Sequence, residues 1–82
     1  MGPVEATAAD RRPEVVGVAR WLDVNPALTG PERAVAQVFA VAAMDLLGAV
    51  GVDTPDLVVA LRSLVSAKDD AVRASIAGRG GR

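Results

Sequence analysis

The feature that most constrains this chain is the run AVAQVFAVAAMDLLGAVGV, Ala34 to Val52. Read at helical spacing, it carries two apolar faces. Val35, Val38, Phe39, Ala42, Leu46 and Val50 make the main stripe, and Ala36, Ala40, Ala43 and Leu47 make a second face of smaller residues. A helix apolar on two sides needs two packing partners. The run also has nearly the length of a membrane span. Asp45 lies inside it, however, and a central Asp costs about 2.5–3.5 kcal/mol on insertion scales. Gln37 and two glycines weaken a span further, and no basic flank follows. The expected setting is therefore a soluble oligomer in which this helix is buried on several sides, with Asp45 on its thin polar side or, as the less favoured alternative, paired with a basic residue across an interface.

Local punctuation divides the rest. TGPE opens the long helix: Thr29 stands at the cap position, Pro31 in the first turn, and Glu32 where a capping box requires it. Gly51 closes it. A further helix opens the same way at DTPD, with Thr54 as cap and Asp56 complementing the positive helix end, and is expected to run to about Ala77, before Gly78. A shorter leading helix begins near Pro13, with Asp10 as a candidate cap and Val15, Val18, Ala19 and Leu22 as its stripe, and stops at Asn25-Pro26. Residues 1–11 are small and polar and read as a mobile leader, 12–77 as the helical domain, and 78–82 as a frayed Gly/Arg tail. The expected fold is all-α: a short leading helix, then two long helices in an antiparallel hairpin, assembled as a homo-oligomeric bundle.

Composition narrows the chemistry. With 82 residues there is room for one core, 51% of the residues are apolar, and the aromatics are Trp21 and Phe39 alone. An Ala/Val/Leu core packs closely but leaves a lone copy marginal, which favours self-association. The chain has no Cys and no His. Disulfides, thiolate metal sites and the usual general base near neutral pH are thereby excluded. A net charge of −1 argues against a general DNA or RNA binder. The Met-Gly-Pro-Val-Glu start has neither the basic nor the apolar segment of a signal peptide.

The candidate functional residues are few. Lys68 falls on the line of Leu61, Leu64, Val65, Val72 and Ile76, where the buried stripe of the last helix should continue. Such a lysine either buries its stem and lifts its ammonium to water, or supplies positive charge to an anionic ligand held between subunits. Arg62 and Arg73 flank it at six and five residues, off its narrow face but within reach of a shared groove. Asp69 and Asp70 point about 100° apart on a helix and cannot chelate one ion as a pair; Asp69 is placed to pair with Arg73. Ser63, Ser66 and Ser75 have no histidine to activate them, and GRGGR follows no strand, so it is not a phosphate-cradling loop. Neither a catalytic set nor a metal or cofactor site is expected.

The last helix, TPDLVVALRSLVSAKDDAVRASIA, resembles the closing segment of small helical proteins of actinobacterial phages, which often end in a helix similar to ALRxLLxAKDxxVRA. The wider plan, with Leu28, Thr29 and Glu32 opening an apolar helix before a Pro-containing turn, resembles the phage anti-CBASS sponge proteins over residues 25–77. That resemblance implies a hexamer in the host cytosol that traps cyclic di- or trinucleotides between subunits without cleaving them, an immune-evasion role. The family's aromatic ring and lysine fall on Asn25 and Ala40 here, so Trp21 would supply the stacking ring if the leading helix folds back. Thr29 matches a hydroxyl position, and Arg62, Lys68 and Arg73 supply the positive charge of the last helix. The alternatives from the residues alone are a helical module that docks on another protein, with Lys68 merely snorkelling, and a structural phage component.

Overall fold

The computed structural model describes residues 1–80, with side chains described as far as Ala77. Among these residues the chain is predominantly helical and has no strand. The elements are α1 (Pro3–Thr7), α2 (Pro13–Ala19) continued by a 3-10 turn (Arg20–Leu22), α3 (Gly30–Ala49) and α4 (Pro55–Gly80). Packing is most extensive between α3 and α4, while α2 lies on α4 and α1 lies on α3. No helix is long and apolar enough to cross a membrane among the described residues.

The core gathers Val4 and Ala8 from the leader, Val15, Ala19 and Leu22 from α2 and its 3-10 turn, Ala40, Ala43 and Leu47 from α3, and Leu57 and Leu61 from α4. Leu22 and Leu61 are its largest fully buried side chains. Burying each fully contributes about 1.5–3 kcal/mol. The face of α3 that carries the core is the small one: Ala36, Ala40, Ala43 and Leu47 are buried. The expected main stripe is only half-buried at Val35, Phe39, Ala42, Leu46 and Val50, and Val38 is exposed. Alanines let helix axes approach closely, and a single copy of this chain has only enough partners to cover that side. Asp45 faces outward, as its polar character requires.

The leader departs most from expectation. Residues 3–7 form a helix, and Val4 and Ala8 are fully buried. What orders them is remote in sequence. Asp23 accepts the Val4 N–H at 2.7 Å and the Glu5 N–H at 3.1 Å, one on each carboxylate oxygen, and so caps α1 from the far end of the 3-10 turn. Arg20 and Glu5 approach within 3.6 Å on the same side. Gly2 is needed here, because a Cβ at that position would lie 2.2 Å from the Asp23 Cγ.

Capping also differs in detail. Thr54 does cap α4, accepting the Leu57 N–H at 3.2 Å. Thr29 holds the cap position of α3 with extended backbone but makes no side-chain cap bond, because Gly30 enters the helix in the left-handed region (φ 59°). Glu32, at the capping-box position, is buried. Asp10 is exposed and does not cap α2, whose first N–H groups follow Arg12. α4 continues past Ala77 to Gly80, since one glycine lowers helix propensity by about 1 kcal/mol without ending a long helix. Of the expected 78–82 tail, residues 81 and 82 lie outside the described residues.

Candidate functional site

The best-built polar cluster joins the leader to the α3–α4 connection. The Arg11 guanidinium donates from Nε to Asp53 Oδ1 at 2.6 Å, from Nη1 to the Leu47 carbonyl at 3.0 Å and from Nη2 to the Val50 carbonyl at 2.7 Å. The second Asp53 oxygen accepts the Arg12 N–H at 2.9 Å. Arg11 thus closes the carbonyl end of α3, where a cation suits the helix dipole, and Asp53 neutralises it. The Arg12 N–H, together with the Arg11 guanidinium, holds the Asp53 carboxyl below its ordinary range, against a smaller opposing effect of burial. These bonds all run between the leader and the α3–α4 connection, so the cluster serves as a latch.

Lys68 is half-buried, and its Nζ donates to the Trp21 carbonyl at the end of the 3-10 turn. A lysine on the stripe of α4 is explained by this reach: its stem runs along the packed surface and its charge meets the carbonyl end of a helical turn. The Trp21 side chain is 66% exposed, unusual for a residue with so large an apolar surface.

Around Trp21 lies a groove of about 410 Å³ between α2 and α4, lined by Glu14, Gly17, Val18, Trp21, Arg62 and Val65. Its size falls in the range of small-molecule sites. Gly17 lines it without a side chain, and a Cβ there would meet nothing within 4 Å. Arg62 and Glu14 also line the adjoining groove over Asp53, Thr54 and Val58. Arg62 and Trp21 are therefore brought together, although they come from different helices.

The other expected ligand residues are placed elsewhere. Lys68 and Arg73 share a third groove with Asn25, Leu28 and Val72. Arg73 is exposed and pairs with Asp70, three residues before it, in place of the expected Asp69. Thr29 is exposed and lines none of these three grooves. Glu14 was not singled out by sequence; its only signal was a charge on the first turn of a leading helix whose apolar face looks the other way. Among the described residues, no group of three or more His, Cys, Asp or Glu side chains could hold a metal ion.

No protein-family model, curated protein or solved structure matches this chain.

Proposed function

We propose that the chain is a non-enzymatic binding protein that captures an anionic small molecule bearing a flat ring, a cyclic di- or trinucleotide being the chemistry favoured. The observation that carries this reading is the shared groove of Trp21, Arg62 and Glu14. Trp21 offers an exposed ring for stacking a base, a contact of about 1–3 kcal/mol. Arg62 suits a phosphate, and Glu14 can accept hydrogen bonds from a base amino group. Lys68 acts here by positioning Trp21. In this reading α3 and α4 form an antiparallel hairpin, the protomers assemble into a homo-oligomer such as a hexamer, and repetition of one Arg62 per copy concentrates positive charge despite the near-neutral chain. The phage-encoded, cytosolic, immune-evasion version rests on the sequence resemblance over residues 25–77.

The test is native mass spectrometry of the full chain with a panel of cyclic di- and trinucleotides. Capture of a fixed number of one ligand per assembly, lost in Trp21→Ala and Arg62→Ala while the assembly persists, is the expected result. Capture of none by the wild-type chain overturns the ligand reading.

A second reading is favoured by a separate observation. Val38, Val41 and Val59 are exposed to 63%, 44% and 58%, so the long helices present apolar surface to a protein partner. A helical interaction module predicts that changes at these valines matter most and that Arg62→Ala matters little.

A further inference from the structure

We infer that the outer face of α3 pairs with the same face of a second copy of this chain, antiparallel and across a two-fold axis. This rests on the self-assembly part of the proposed function and is independent of its ligand.

Ala34, Val38, Val41, Asp45 and Gly48 follow one another at alternating spacings of four and three residues and are all exposed. That is the spacing of a helix–helix seam, which faces one direction from Ala34 to Gly48 of the 20-residue helix. Val38 is 63% exposed and Val41 44%, while small residues at 34 and 48 leave room for a second backbone to approach. A Cβ added at Gly48 would meet nothing within 4 Å. The seam lies on the side of α3 opposite Ala36, Ala40 and Ala43, which face the core.

Charge chooses the occupant and its direction. The single acid on the seam is Asp45, and Arg33 adjoins its other end next to Ala34. Neither forms an ion pair with any described residue of its own chain. A parallel second copy would set Asp45 against Asp45, two like charges at one level of the seam. An antiparallel copy that places Val38 opposite Val41 places Ala34 opposite Asp45, by the same register. Each Asp45 then lies beside Arg33 of the other copy, twice over by symmetry. The face is thus complementary to itself in one orientation and repulsive in the other. The grooves at Trp21 and Arg62 lie on α2 and α4 and remain open in such a pair.

Sedimentation equilibrium of the full chain tests the pairing. The wild-type chain is expected to form assemblies with an even number of copies, because a two-fold contact pairs them. Val41→Arg and Asp45→Arg are expected to lower the assembly mass at least twofold, with helicity by circular dichroism unchanged because both positions are exposed. Arg33→Asp combined with Asp45→Arg exchanges the charges and should restore the wild-type mass. A monomeric wild-type chain, an odd-numbered assembly, or an unchanged mass in Val41→Arg overturns the inference. Ligand capture in a monomeric wild-type chain would overturn the pairing alone, and even-numbered assemblies that capture nothing would leave the pairing standing and remove the ligand.

Discussion

Residues 3–12 and the outer face of α3 exchange the environments that their compositions suggest. The leader is short, polar and alanine-rich, yet Val4 and Ala8 are fully buried and its backbone and side chains are bonded to Asp23, Asp53, Leu47 and Val50. The outer face of α3 carries Val38 and Val41 at regular spacing and stands exposed. Burial here follows the availability of a partner more than local apolarity. Asp23 and Asp53 each lie many residues from the N–H groups they accept, and they order a segment that could not fold alone. Val38 and Val41 of α3 stay exposed within one copy.

Substitutions in the two regions differ widely in their expected effect. Leu22→Ala removes the floor on which the leader rests and is expected to cost about 2–5 kcal/mol, read as a lowered midpoint in urea denaturation. Asp23→Ala removes both N–H bonds at the start of α1 and is expected to cost about 0.5–2 kcal/mol, with new proteolytic cleavage confined to residues 1–12. Gly2→Ala should imitate it, by pushing the same carboxylate away.

Acid probes the latch. The Asp53 carboxyl titrates below its unfolded value, so the unfolded chain takes up its proton first as pH falls. Its contribution to stability is complete above the ordinary carboxylate range and is lost as pH falls through the lowered folded value. Asp53→Asn should therefore be less stable than wild type at neutral pH, and the gap should close in that acid window. A gap that stays constant in denaturation curves measured from neutral pH downward contradicts the latch. The smallest effect belongs to the opposite region. Val38→Thr changes an exposed side chain and is expected to alter the stability of the single copy by no more than about 0.5 kcal/mol in the same denaturation assay.

Helix number and helix starts in the main body were legible because they are local. Pro13, Thr54 with Pro55, and the periodicity of 34–50 each act within a turn or two. The rank of the two faces of α3 was not legible. Hydrophobicity favours the Val/Phe/Leu stripe, but close approach of α4 and the leader selects the alanines. Capping of α3 misled for a related reason: Thr29 and Glu32 match a capping box by spacing, but Gly30 enters the helix with left-handed backbone and Thr29 makes no side-chain cap bond. At the candidate site, Trp21, Arg62 and Lys68 could be named from sequence, but their division between grooves could not. Whether two helical residues share a groove depends on how α2 crosses α4, and nothing in the local pattern encodes that. Arg11 and Asp53 carried no motif at all, since an ion pair across 42 positions leaves no spacing signature.

The leader is part of the folded body, ordered from a distance by Asp23 and Asp53. Amide hydrogen exchange of the full chain, resolved by residue, addresses this directly. The Val4, Glu5 and Arg12 amides are bonded to these two carboxylates and should exchange much more slowly than in a free peptide, with Asp23→Ala releasing Val4 and Glu5 alone. Exchange at free-peptide rates across residues 3–12 of the wild-type chain, beside a protected α3 and α4, would contradict it.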